Sequence, residues 1–143
     1  MKELFVSFYI PGEPVGKGRA RSTASGHHYT PEKTRQYEEA VGYIALQAMA
    51  GKQPLVQACR IELVVLCGIP KSASKSARQE MMAGNVRPTK KPDTDNCLKA
   101  VKDAINRIVY VDDSLVVEDE VKKFYSDTPG TTAYIYTWSR END

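Results

Sequence analysis

Apolar residues at Leu4, Val6, Phe8 and Ile10 alternate with more polar neighbours, a period of two that predicts a strand with one buried face. Pro11 ends it. From Pro11 to Tyr29 the alternation dissolves into a Gly- and Pro-bearing stretch, too flexible for an element and long enough to be a functional loop. Thr30-Pro31 reads as a helix start, the hydroxyl capping free backbone donors and the proline needing no donor of its own. Tyr37, Val41, Ile44 and Ala48 then recur at helical spacing and predict an amphipathic helix to about Met49, before Gly51.

Cys59, Ile61, Leu63, Val65, Cys67 and Ile69 alternate without a break against Arg60, Glu62 and others, and form the clearest strand of the chain. Pro70 closes it. The Ser-, Lys- and Arg-rich Lys71 to Pro92 has room for one short helix around Ser74 to Ala83 before Gly84. Leu98, Val101, Ile105 and Ile108, with Ala104 beside them, predict a second main helix from Asn96 to about Ile108 or Val109. Asp95 or Asp93 is placed to cap it. Leu115 to Ser126 is β-rich, Asp127-Thr128-Pro129-Gly130 is a turn, and Thr131 to Trp138 alternates again, so the pair reads as a terminal hairpin.

At 143 residues the chain fits one domain, which buries roughly two-thirds of its unfolded surface. The composition, 41% hydrophobic and 27% charged, is too apolar for a disordered protein. No apolar run approaches the ~20 residues of a membrane helix, and no signal-peptide pattern opens the chain, so a cytoplasmic location is expected. Cys59, Cys67 and Cys97 are odd in number and ungrouped, which suggests neither a disulfide framework nor zinc, but three small buried residues.

Net charge is only +2, yet its distribution along the chain is uneven. Lys17, Arg19, Arg21, Lys33 and Arg35 crowd one segment, and Lys71 to Lys91 carries six cations, Lys90 and Lys91 among them, against Glu80. Asp93 to Glu120 reverses this, with eight acids against three bases. Basic segments flanking an acidic cluster suit a phosphodiesterase, in which cations hold the polyanion and carboxylates hold metal at the scissile bond; ordinary solvated surface is the alternative. His27 and His28 read as exposed loop residues, not metal ligands.

Within the acidic stretch, Asp93 and Asp95 lie two apart, so from an extended segment both carboxylates emerge on one side. Asp95, Lys99 and Asp103 are successive i, i+4 steps on the helix face opposite the apolar stripe. Asp112-Asp113 follows the helix after a connection short enough to return a carboxylate toward the first two. Each acid alone has an ordinary reading as a cap or turn residue. Together they imply a cation or another functional reason, because crowded carboxylates repel one another. Hard oxygen donors without His or Cys favour Mg²⁺ or Mn²⁺.

Lys91-Pro92-Asp93-Thr94-Asp95-Asn96-Cys97-Leu98-Lys99, then Asp103-Ala104, then Tyr110-Val111-Asp112-Asp113-Ser114, resembles the signature of the RusA family of Holliday junction resolvases. The likeness is tight over Lys91 to Val117 and looser over most of the chain. It implies that Asp93, Asp95 and Asp113 are catalytic metal-binding aspartates for Mg²⁺, with Mn²⁺ a substitute, and that Lys99 is an essential lysine stabilising charge on phosphate. Asp103 and Asn96 match recurring positions, and Cys97 stands where a larger apolar residue is usual.

Pattern and resemblance together predict an α+β fold, a small mixed sheet packed against two main helices, with residues 1–143 forming one endodeoxyribonuclease domain. The resemblance further implies a homodimer acting on four-way DNA, each protomer hydrolysing one strand to leave a 5′-phosphate, with no small-molecule cofactor and no membrane. Lys17, Arg19, Arg21, Lys90 and Lys91 are expected to contact DNA, and Tyr29, Tyr37 or Tyr110 to stack on opened bases. Two other classes stay open: a nuclease for other branched or single-stranded DNA, and a DNA-binding module without turnover.

Overall fold

A computed structural model describes residues 2–18, 21, 22, 24–26, 28, 29 and 32–140, without the side chains of residues 21, 22, 28 and 29. The chain runs through strand β1 (Glu3–Pro11), short strands β2 (Arg21–Ser22) and β3 (His28–Tyr29), and helix α1 (Glu32–Met49). Strand β4 (Cys59–Gly68), helices α2 (Lys75–Met82) and α3 (Thr94–Ile105), and a 3₁₀ turn at Asp113–Leu115 follow. Strands β5 (Val116–Ser126) and β6 (Gly130–Thr137) end it. This is the α+β architecture that the hydrophobic pattern predicts, with α1 and α3 as the main helices and α2 the short one.

The main sheet has the order β1-β6-β4-β5 and is mixed: β6 is antiparallel to both β1 and β4, while β4 and β5 run parallel. The expected terminal hairpin is therefore a misreading. β5 and β6 are joined by a short turn but lie on opposite sides of β4. Burial explains the exchange, since β6 offers the fully buried Ala133 and Ile135 and belongs in the sheet interior. β5 carries Glu118-Asp119-Glu120 and Lys122-Lys123, a composition that suits only an edge.

Burial alternates along β4 without a break, Cys59, Ile61, Leu63, Val65 and Cys67 all facing the helices. Against that face α1 lays Val41, Ala45 and Met49, and α3 lays Cys97, Val101 and Ile105. Gly42 lets the two helices approach, since a β-carbon there would stand 3.3 Å from the Ala104 carbonyl oxygen. In β1 only Val6, Phe8 and Ile10 are buried. Leu4, expected with them, is half exposed because a register shift between Leu4 and Val6 breaks the alternation.

Two further expectations need correction. The segment after β1, which the sequence presents as lacking any element, contains the β2–β3 ladder, with Gly26 at φ +86° in the intervening turn. Helix α3 ends at Ile105 and not near Ile108, because Arg107 takes a positive φ of 70° and its amide donates to the Tyr110 carbonyl at 2.8 Å. Ile108 and Val109 still reach the core through that turn. The Thr30-Pro31 helix start lies outside the described residues. No helix among the described residues is long and apolar enough to cross a membrane.

All three cysteines are buried and free, as expected of small core residues, and burial pushes the thiols of Cys59 and Cys97 up to about 11.

Candidate active site

Helix α3 organises the acids. Its N-cap is Asp93, in extended conformation, whose Oδ1 accepts the Asn96 amide at 2.8 Å. Of the two carboxylates that could have capped this helix, Asp93 does so, which leaves Asp95 in the first turn with its side chain exposed. A carboxylate there faces the positive end of the helix dipole, a favourable position worth about 0.3–1 kcal/mol. The i, i+4 progression then brings Lys99 Nζ to 3.5 Å from Asp103 Oδ2.

Asp113 arrives from the far end of the same helix. After the Arg107 turn, Leu55 brackets the chain: its amide donates to the Val109 carbonyl at 2.8 Å and its carbonyl accepts the Val111 amide at 3.0 Å. Tyr110 is fully buried and donates its hydroxyl to the Lys102 carbonyl at 2.9 Å, tying the connection back onto α3. Asp112 then caps the 3₁₀ turn by accepting the Ser114 amide at 3.0 Å. Hydrogen bonding from Ser114 holds the Asp112 carboxyl below the ordinary aspartate value. The first of the paired acids is thus a cap, and the second is the one presented to the site.

Asp95, Lys99, Lys102, Asp103 and Asp113, with Leu98, line one cavity of about 220 Å³. Asp93 lines a different cavity, of about 420 Å³, with Lys90, Lys91, Thr94 and Lys123. Of the expected acids, then, the fold brings Asp95 and Asp113 to a common space but leaves Asp93 lining a different one. The expectation that Asp93 and Asp95 emerge together from an extended segment is corrected, because Asp95 already lies in the helix that Asp93 caps. Among the described residues no three His, Cys, Asp or Glu side chains converge as a group able to enclose a metal ion.

Lys17 stands elsewhere than a phosphate-gripping comb would put it. Its ammonium is 3.2 Å from Asp103 Oδ2 and is also bonded to Glu38. Burial opposes its charge, but the hydrogen bonds and charges of Glu38 and Asp103 outweigh that and hold it above the ordinary lysine value. Its backbone is docked as well, with the Lys17 amide donating to the Asn96 carbonyl at 3.1 Å. A β-carbon on Gly16 would stand 2.7 Å from Pro92 Cβ, so only glycine lets the loop lie so close to the start of α3.

Arg19 lies outside the described residues, as does the side chain of Arg21, while Lys90 and Lys91 are exposed. Tyr110 cannot stack on bases, because it is buried, and Tyr37 packs against the core; the Tyr29 side chain lies outside the described residues. Glu38 and Lys123 join the site without a signal in the sequence, because each is brought in by packing between distant elements; Lys102, three residues after Lys99 on α3, could have been found from helical spacing. Asp103 was legible from its helical spacing.

These contacts separate the basic residues experimentally. Replacing Arg19 and Arg21 with Ala is expected to flatten the salt dependence of DNA binding by ~0.9 for each phosphate that is no longer neutralised. Lys17→Ala is expected to change the slope much less, since Glu38 and Asp103 already compensate its charge. Titrations across ionic strength decide it; an equal drop for Lys17→Ala means that the ammonium leaves its acids for phosphate.

Comparison with known proteins bears on the family and not on the individual site residues. The model of a family described as Endodeoxyribonuclease RusA matches residues 11–136. The chain is also similar to a protein of Bacillus subtilis (strain 168) named Uncharacterized protein YqaN, at 37% identity over 129 residues, covering 87% of this chain and 90% of that protein.

Proposed function

Since this chain belongs to the RusA family of endodeoxyribonucleases, we propose that it resolves four-way DNA junctions, using Asp93, Asp95, Asp113 and Lys99 to hydrolyse one phosphodiester per protomer. The observation that carries this reading is the convergence of Asp95 and Asp113, from opposite ends of α3, on one cavity that also holds Lys99. Nothing in the packing of a small domain calls for that crowding of charge.

The donor set fits a hard divalent cation, since it is all carboxylate, and Mg²⁺ uses few carboxylates while keeping several waters. Asp95 and Asp113 would hold it, with Asp93 contributing from the N-cap of the same helix. When bound, Mg²⁺ or Mn²⁺ supplies a water of lowered pKa and neutralises charge on the phosphoryl oxygens.

The chain's own residues do the rest. Lys99 is 62% exposed and, among the described residues, held by an i, i+4 contact worth ~0.3–0.5 kcal/mol, so it is free to turn onto a phosphate whose charge grows during in-line attack. Asp103 shares the oxygen that faces Lys99 with Lys17, so its hold on Lys99 is weak. Lys90 and Lys91, exposed on the approach to Asp93, with Arg19 and Arg21, hold flanking phosphates without reading sequence. Residues 1–143 act as one nuclease domain in a homodimer, whose two-fold symmetry matches the two strands to be cut.

The test is cleavage of a mobile four-way junction beside a matched linear duplex, in Mg²⁺ and in Ca²⁺. Paired symmetric nicks with 5′-phosphate ends are expected on the junction in Mg²⁺, with little cutting of duplex. Equal cleavage of duplex defeats the resolvase reading and leaves that of a less selective nuclease.

A further inference from the structure

We propose that Lys123, on the edge strand, is a positioning residue for Asp93, an inference that rests on the reading of Asp93 as part of the catalytic set. Lys123 lies in register with Val65, fully buried on the helix-facing side of the parallel β4–β5 pair. Residues in direct register share a face, so Lys123 also points toward the helices. Its neighbours on that face of β5, Val121 and Tyr125, pack against the core. An ammonium there is costly unless its donors find acceptors.

It finds two, both in the segment that delivers Asp93. Lys123 Nζ donates to the Lys90 carbonyl at 2.7 Å and to the Pro92 carbonyl at 2.8 Å. The same loop returns the contact: Arg87 Nε donates to the Lys123 carbonyl at 2.6 Å, and its guanidinium lies 3.8 Å from the centre of the Phe124 ring. Residues 87–92 are thereby tied to β5 from both sides. The carbonyl of Pro92 is the backbone group immediately before Asp93, so fixing it sets the direction in which the chain enters α3 and the extended conformation from which Asp93 caps it. Lys123 also lines the cavity that Asp93 shares with Lys90 and Lys91.

An apolar residue would fill the same space on the strand. What it could not do is hold two carbonyls at once, which is the property the site uses. Lys122, on the opposite face of the same strand and exposed, provides the internal control.

The experiment compares Lys123→Met, Lys123→Arg, Lys122→Met and Asp93→Asn for single-turnover junction cleavage in Mg²⁺, junction affinity in Ca²⁺ and thermal unfolding. It adds hydrogen exchange over residues 88–96 in the metal-free protein. Lys123→Met is expected to cut about 10–100-fold more slowly, the range found when an outer partner of a metal ligand is removed. Its exchange over residues 88–96 should rise while the rest of the sheet stays protected. Lys123→Arg should recover part of the rate, and Lys122→Met should match the parent. A rate in Lys123→Met within twofold of the parent, a loss that only follows the unfolded fraction, or unchanged exchange over 88–96 overturns the positioning role. Full activity in Asp93→Asn overturns the underlying assignment; an inactive Asp93→Asn beside a normal Lys123→Met overturns the positioning role alone.

Discussion

Asp95→Asn and Asp113→Asn are each expected to slow single-turnover junction cleavage by at least about 10³-fold, some 4 kcal/mol of barrier, while the protein stays folded. The amide keeps the size and much of the hydrogen bonding of the carboxylate and removes only the charge that a divalent cation requires. Both side chains line the cavity shared with Asp103, so losing one charge relieves repulsion among the remaining acids. For Asp95 that relief opposes the small loss of interaction with the helix dipole. Thermal unfolding should therefore move little, in either direction.

Asp93→Asn belongs to the same experiment and is the cleanest of the three, because Asn caps a helix as well as Asp does. The bond from the Asn96 amide can persist, and what disappears is charge. Lys99→Ala should likewise stop turnover without unfolding the domain, given the weakness of its contact to Asp103. Junction affinity in Ca²⁺ should hold or tighten in the Asn variants, since less negative charge then faces phosphate. Near-normal rates, or activity that falls only in step with folded protein, would remove these residues from the mechanism.

The second large effect falls on the fold and spares the chemistry. Leu63→Ala is expected to cost about 3 kcal/mol, within the range for a large-to-small change in a packed core, and to lower the Tm by roughly 10 °C. Leu63 is 1% exposed, in the strand flanked by both β5 and β6, and faces the two main helices across the sheet. A cavity there has neighbours fixed on every side and little means of collapsing. No site residue comes from β4, so cleavage well below the transition temperature should remain near the parent rate. A calorimetric shift of only a degree or two would show that the β4 side chain is not buried as described.

These two outcomes divide the chain along the line that also separates what the sequence revealed from what it hid. Local periodicity was sufficient for the elements. The unbroken alternation of Cys59 to Cys67 specifies a strand buried on one face, and the stripe of Val101 and Ile105 specifies the helix that carries Asp95, Lys99 and Asp103. Those three residues are aligned by helical geometry alone, and their relation was legible before any tertiary contact was known. Family membership was legible for the same reason, because the motif from Lys91 to Ser114 is nearly continuous and its spacing is local.

Tertiary structure decided everything that depends on which distant segments meet. The turn after Ser126 looks like that of a hairpin, yet β6 crosses β4 to reach the sheet interior, because buried Ala133 and Ile135 gain from neighbours on both sides while the charged β5 can tolerate an edge. The path of the chain after α3 was set by Leu55, whose backbone brackets Val109 and Val111 and so turns Asp113 back toward Asp95. Lys17 reads as a DNA contact because a sequence shows charge without its partners; packing of α1 against α3 put Glu38 and Asp103 within its reach. Lys123 carried no signal at all, since its role exists only where the edge of the sheet passes beneath the carbonyls of Lys90 and Pro92. Periodicity within an element follows from backbone geometry and is written in neighbouring residues, whereas the pairing of charges and carbonyls across elements follows from the packing of the whole core.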